Sequence, residues 1–200
     1  WHYQVAGPFK KKEKDGNIMG KIYYVMGKSA SGKDTIYKRL VKELPELGTV
    51  RMYTTRPIRD GETNGVEYIF TDEKQLQTMK DAGKVIECRT YDTIYGPWSY
   101  FTADDGQIDL GSGSYLMMGT LESYEKLCSY YGAEVMVPLY IHVEDGERLQ
   151  RALNREKTQK VPKYAEMCRR FLADEKDFAK ERLDQCGIRK QYENTGLEPC

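Results

Sequence analysis

The sequence predicts an α/β fold built around a mainly parallel sheet. Three observations carry that expectation. Short runs rich in β-branched and aromatic residues alternate with segments whose apolar residues recur at helical spacing. The most apolar run, "VMVPLYIHV" at 135–143, stands between two helical patterns, as a strand covered on both faces does. A glycine-rich turn, "GKSASGKD" at 27–34, joins the first strand pattern to the first helical one.

Each element follows in order. "KIYYVM" (21–26) reads as a strand that stops at Gly27. "DTIYKRLVKEL" (34–44) carries Ile36, Leu40, Val41 and Leu44 on one helical face, and Pro45 and Gly48 punctuate its end. Residues 50–70 are turn-rich and close on the strand-like "VEYIF". "TDEKQLQTMKDAG" (71–83) is a helix with Thr71 as its expected N-cap and Gly83 as its stop. "KVIEC" and the region around "TIYG" read as short strands, and "ADDGQIDLGSGS" (103–114) as a loop. Then come a strand in "YLMMG", a helix in "TLESYEKLCSYYG", the strand at 135–143 and a helix in "EDGERLQRALNRE". After the polar break "KTQKVPK", residues 164–183 are expected to form one long amphipathic helix, with a last strand in "GIRKQYEN".

Composition narrows the function classes. The 200 residues suit one domain with small inserted lobes. Lys plus Arg and Asp plus Glu are equal at 31 each, so no net basic field draws the chain to nucleic acid or to anionic membrane. The 5 cysteines are scattered without a CxxC pair, which points away from zinc and disulfide frameworks and toward free thiols in a reducing cytoplasm. No apolar run approaches the ~20 residues that a membrane span needs. Residues 1–18 read as a flexible polar tail ahead of a compact domain at 19–200.

The turn at 27–34 has the spacing of a phosphate-binding loop: Gly27, four residues, Gly32, Lys33. Such a loop aims consecutive backbone N–H groups inward at a helix N-terminus, where the dipole favours anions. The expected donor-phosphate set is Gly27, Lys28, Ser29, Ala30, Ser31, Gly32, Lys33, Asp34 and Thr35. Asp34 stands where Ser or Thr usually supplies a hydroxyl to magnesium. A carboxylate is itself a good Mg2+ ligand, so Asp34 is a candidate metal ligand, with helix capping as the alternative.

A second constellation lies in "YTTRPIRDGETNGVEYIF" (53–70), with Arg56, Arg59, Glu62 and Tyr68, followed by Glu87 and Tyr95. Two guanidinium forks and two phenol hydroxyls suit a phosphate monoester; surface arginines in a turn are the plainer alternative. Together with the loop, the pattern Thr54, Thr55, Arg56, Arg59, Gly61, Glu62, Gly65, Tyr68, Phe70, then Ile86–Glu87, then Tyr95–Gly96 resembles the guanylate kinase family, over roughly Lys21 to Asn194.

That resemblance implies a P-loop three-layer α/β/α fold with an inserted NMP-binding lobe and a helical lid. The core is placed at about 19–52 and 113–200, the lobe at about 53–102 and the lid at about 145–170. It implies a transferase of purine nucleotide metabolism, ATP and GMP giving ADP and GDP, with Mg2+. Arg56, Arg59, Tyr68 and Tyr95 resemble the clamp on the acceptor phosphate, and Glu87 the carboxylate that reads guanine. Lys33, Arg151, Arg155 and Arg170 resemble the cations on the transferred group, and Asn194 a residue beside adenine. Departures accompany the likeness. Tyr53 and Pro97 replace small hydroxyl residues, Met117 and Gly119 replace aspartates, and the chain ends at Cys200, where the family continues into a further helix. Two alternatives follow: a phosphotransferase on another phosphorylated acceptor such as a ribose bisphosphate, and a non-catalytic binding module. No nucleic-acid or membrane partner is expected.

Overall fold

The computed structural model describes residues 20–93 and 96–196, so the expected tail at 1–18, Tyr95 and Cys200 lie outside the described residues. Two sheets carry the fold. The larger contains β1 (Ile22–Met26), β2 (Gly48–Thr49), β7 (Tyr115–Met118), β8 (Met136–His142) and β9 (Gln191–Glu193) in the order β2-β7-β1-β8-β9. Every neighbouring pair in it is parallel. After β1 the chain goes first to one side, at β2, and later to the other, at β8. The crevice beyond the carboxyl end of β1 is therefore a switch point, where open α/β sheets bind ligands.

Strand pleating sorts the core. Ile22, Tyr24 and Met26 face α3 (Leu121–Tyr131), where they pack with Leu121, Tyr124, Leu127 and Phe178. Val25 faces the opposite way with Leu116 and Ile141, under Ile36, Leu40 and Val41 of α1 (Lys33–Glu43). Helices on both faces make the three-layer α/β arrangement.

The smaller sheet has the order β4-β3-β6-β5, from β3 (Tyr53–Thr54), β4 (Ile69–Phe70), β5 (Val85–Thr93) and β6 (Gly96–Ala103). Its long hairpin β5–β6 is antiparallel, and α2 (Glu73–Asp81) seals one face with Leu76 and Met79 against Phe101 and Ala103. Of the expected strand "VEYIF", only Ile69 and Phe70 form a strand, while Tyr68 makes an isolated bridge to Asn64. The cap of α2 is Asp72, not Thr71: its carboxylate accepts from the Gln75 N–H at 2.7 Å.

The chain returns through α4 (Asp145–Lys157), α5 (Tyr164–Asp177) and α6 (Lys180–Gln185). The single helix expected at 164–183 is thus broken. Phe178 drops into the core, 7% exposed, and stacks on Tyr140 with ring centroids 5.5 Å apart, while Ala179 is extended at φ −57°, ψ 145°. Burying that ring, worth roughly 1.5–3 kcal/mol, outweighs the helical hydrogen bonds lost at the break.

Candidate functional site

β1 delivers the loop at the carboxyl edge of the large sheet, and Gly32 caps α1 at φ 82°. Only glycine fits there, because a Cβ would overlap the Asn194 side-chain amide and the backbone is left-handed. The N-cap position is therefore taken, which removes capping as the role of Asp34; its side chain stands 69% exposed in the first turn. Ala30 also adopts a left-handed φ of 62°, a conformation that costs a non-glycine residue about 1–3 kcal/mol. Alternating left- and right-handed residues turn successive N–H groups to one side, which makes an anion-binding nest. The Ser31 hydroxyl lies beside Gly27, is buried, and has no hydrogen-bond partner among the described residues. An orphaned buried hydroxyl, the free N–H groups of a helix start and Lys33 form a donor set that fits phosphate oxygens.

The loop is held from behind by charged side chains of α4 and α5. Lys28 Nζ donates to Glu175 Oε1 and Oε2 at 2.7 and 2.8 Å and to Asp145 Oδ1 at 3.3 Å. The Ser29 N–H donates to Asp174 Oδ2 at 2.8 Å, and the Ser29 carbonyl accepts from Arg148 Nη1 at 3.2 Å. Arg148 is 1% exposed, pairs with Asp145 and Glu175 at 2.9 and 2.6 Å, and lies 4.2 Å over the Phe171 ring. Such a buried guanidinium persists only because carboxylates surround it.

The smaller sheet places the second constellation. Arg56 is 3% exposed and grips Glu62 with both ends of its fork, at 2.7 and 2.6 Å, over the rings of Tyr68 and Phe70, each at 5.2 Å. The Arg56 guanidinium holds the Glu62 carboxyl down at about 2. Arg59 is exposed, and its backbone N–H donates to Glu62 at 2.9 Å. Burial pushes the Tyr68 hydroxyl up; Tyr100 and Asp34 add to that, and Arg56 and Arg89 oppose it.

Glu87 sits deeper, 5% exposed. Its Oε1 accepts from Thr102 at 2.8 Å and its Oε2 from Arg89 Nε at 3.0 Å. Arg89 also donates to Thr120 at 2.9 Å. The positions where the resemblance expects small or acidic residues are filled differently. Tyr53 stacks on Phe101 and donates to Asp105 at 2.6 Å, Pro97 is exposed, and Met117 is fully buried in the core. At Gly119 a Cβ would overlap the Tyr24 hydroxyl.

Of the remaining expected cations, Arg151 reaches the loop through Asn194, and Arg155 and Arg170 point to solvent. Arg151 pairs with Glu147 at 2.7 Å and donates to the Asn194 carbonyl at 3.0 Å. Asn194 in turn donates from its side chain to the Ser31 carbonyl at 2.9 Å, so both back onto the loop. Arg155 is exposed on α4, and Arg170 is 57% exposed on α5, 3.8 Å from Glu166. Among the described residues no group of three or more His, Cys, Asp or Glu side chains gathers as a metal cage. Magnesium fits here only in its usual manner at nucleotides, with one carboxylate such as Asp34 beside phosphate and water oxygens.

Sequence reasoning does not reach Arg89, Arg148, Asp174, Glu175 or Tyr100. Arg148 carries one usable signal: it shares the inward face of α4 with Ala152, four residues on, so a charge stands in an apolar stripe.

Comparison with known proteins gives the following. A family profile described as Guanylate kinase matches residues 19–99. Guanylate kinases of Legionella pneumophila (strain Lens) and Clostridioides difficile (strain 630) are each 37% identical over 78 residues, 38% of this chain and 37% and 38% of theirs. That of Corynebacterium diphtheriae is 38% identical over 71 residues, 36% of this chain and 37% of its own. The chain therefore matches little more than a third of the length of these relatives. The fold likeness reaches further: a crystal structure of guanylate kinase from Anaplasma phagocytophilum superposes with a TM-score of 0.56 at 20% identity, covering 91% of this chain and 80% of that one.

Proposed function

We propose that this chain, whose residues 19–99 match the guanylate kinase family profile, transfers a phosphoryl group from ATP to GMP, giving ADP and GDP. The observation that carries the reading is the nest-shaped loop at 27–33, with Ala30 and Gly32 left-handed and the Ser31 hydroxyl buried without a partner among the described residues.

In this reading the loop N–H groups, the Ser31 hydroxyl and Lys33 bind the donor phosphates, and the acceptor phosphate lies against Arg56, Arg59, Tyr68 and Tyr95. Glu87 accepts from the base. No protein nucleophile is needed, because phosphoryl transfer rests on positioning and charge stabilisation. Mg2+, when bound, would neutralise charge on the phosphates, and Asp34 is the carboxylate that would hold it. The expected lid at 145–170 is anchored to the loop at Asp145 and Arg148, and its side chains Arg151, Arg155 and Arg170 would move over the transferred group to exclude water. Arg155 and Arg170 are exposed, which leaves room for their side chains to move. The split into two sheets supports a core at about 19–52 and 113–200 and a lobe at about 53–102, with the lid at about 145–170 part of the same proposal. Asn194, tied to Ser31, borders the adenine side. A cytoplasmic setting belongs to the same proposal, supported by the free thiols of Cys88, Cys128, Cys168 and Cys186. No described helix is long and apolar enough to cross a membrane.

The test is a coupled assay for ADP release with GMP, AMP, CMP, UMP and a ribose bisphosphate as acceptors. Turnover with GMP above the others is expected. ATP consumption that GMP does not stimulate would overturn the reading. Neither alternative acceptor class nor a binding module is favoured, because the matched relatives are guanylate kinases and the loop retains Lys33.

A further inference from the structure

The buried charges behind the loop do more than join two helices. Five ionic side chains meet there: Lys28 from the loop, Asp145 and Arg148 from α4, and Asp174 and Glu175 from α5. Most of their contacts are with one another. Two are not. Asp174 accepts the N–H of Ser29 at 2.8 Å, and Arg148 donates to the carbonyl of the same residue at 3.2 Å. Asp174 and Arg148 are themselves 3.4 Å apart, so one ion pair spans both peptide groups of Ser29. The next residue is Ala30, held at φ 62°, the one non-glycine residue with positive φ among the described residues.

A left-handed alanine relaxes unless its surroundings over-determine it. Beyond Ala30, the loop's own backbone closes only a weak turn, from Ser31 N–H to Lys28 C=O at 3.2 Å. From outside the loop, Asp174 and Arg148 hold Ser29 on one side of Ala30, and Asn194 donates to the Ser31 carbonyl on the other, at 2.9 Å. The left-handed step at Ala30 is also what turns the following N–H groups inward as a nest.

Resting on the donor-site reading above, we propose that Arg148 and Asp174 are positioning residues for the phosphoryl donor: they clamp Ser29 and thereby hold Ala30 in the left-handed conformation that shapes the phosphate nest. Neither residue touches the nucleotide in this account. They act through Ser29 and Ala30. A network serving only to staple α4 to α5 would lower stability when cut and leave nucleotide affinity of the folded protein unchanged.

The experiment is a binding cycle with ATP and, as control, GMP, measured by calorimetry on folded protein. Asp174→Ala should weaken ATP binding about tenfold, a factor within the strain that a left-handed alanine carries, and leave GMP binding unchanged. Asp174→Asn, which keeps an oxygen for the Ser29 N–H, should retain most of the affinity. Ala30→Gly should restore ATP binding in the Asp174→Ala background, because glycine takes the left-handed conformation without strain. Arg148→Lys keeps a charge against Asp145 and Glu175 but loses the fork that reaches Ser29; it should weaken ATP binding by a smaller factor, and it serves if Asp174→Ala does not fold. Unchanged ATP affinity in Asp174→Ala or Arg148→Lys overturns the clamp. So does an Ala30→Gly effect that is the same with and without Asp174. If the unsubstituted chain binds no ATP, the donor-site reading fails first and the clamp with it.

Discussion

Arg89 holds Glu87 in a buried ion pair, Nε to Oε2 at 3.0 Å, with side chains 8% and 1% exposed. The carboxylate proposed to read guanine is thus already charge-balanced by its own strand, two residues on, and steadied by Thr102. Removing either partner leaves the other charge buried. Glu87→Ala and Arg89→Ala should each cost about 3–5 kcal/mol in chemical denaturation, and the double variant should cost less than the sum. Glu87→Gln, which keeps the shape, should raise the KM for GMP more than that for ATP. Equal shifts for both nucleotides would reduce Glu87 to a structural role.

Glu62 ties the acceptor lobe to pH. Its carboxyl lies at about 2 in the folded chain against an ordinary 4.5, because both ends of the Arg56 fork and the Arg59 N–H favour the charged form. A depressed carboxyl binds protons less readily folded than unfolded. Its stabilisation is therefore fully present above about pH 4.5 and lost as pH falls from there toward 2. Denaturation midpoints measured down this range should fall more steeply for the unsubstituted chain than for Glu62→Gln. Parallel acid limbs would show that the pair does not control acid stability.

Asp34 is the third case. With Gly32 at the N-cap, the Asp34 carboxylate stands 69% exposed in the first turn, 3.7 Å from Lys33 and open to a bound ion. Asp34→Asn should raise the magnesium concentration needed for half-maximal activity. Asp34→Ser, which restores the usual loop hydroxyl, should bring it back. A flat magnesium titration across all three proteins would leave the metal to phosphates and water alone.

How much was legible follows from how local each feature is. The loop, its strand and its helix were readable because spacing, glycines and lysine lie within eight residues of one another. The Arg56–Glu62 turn was readable for the same reason. The break at Phe178 was not, because the helical pattern of 164–183 is intact and only the Tyr140 ring, far away in sequence, draws Phe178 out of it. The clamp on Ser29 was equally hidden: its partners lie 119 and 145 residues from Ser29. Arg151, Arg155 and Arg170 were chosen on pattern; Arg155 and Arg170 are exposed and Arg151 reaches the loop only through Asn194, whereas Arg148, one turn earlier than Arg151, is buried against it.

Tyr24 explains why an acidic residue is missing at the end of β7. Its ring is fully buried among Tyr124 and the β1 core, and its hydroxyl sits 2.6 Å from Ser123 Oγ and donates to the Thr120 carbonyl at 3.2 Å. Burial pushes that hydroxyl up, so it stays a neutral donor. It occupies the space into which any side chain at Gly119 would project, with Ser123 Oγ only 3.0 Å from the same point. Gly119→Ala should therefore cost about 1–3 kcal/mol through overpacking, although alanine is ordinarily the milder residue. In a Tyr24→Leu background the obstructing hydroxyl is gone, and the same substitution should cost less than half as much, read from denaturant midpoints at constant m-value. Gly119→Asp should then be tolerated only together with Tyr24→Leu. If Gly119→Ala costs the same in both backgrounds, Tyr24 is not what excludes the carboxylate, and the two positions changed independently.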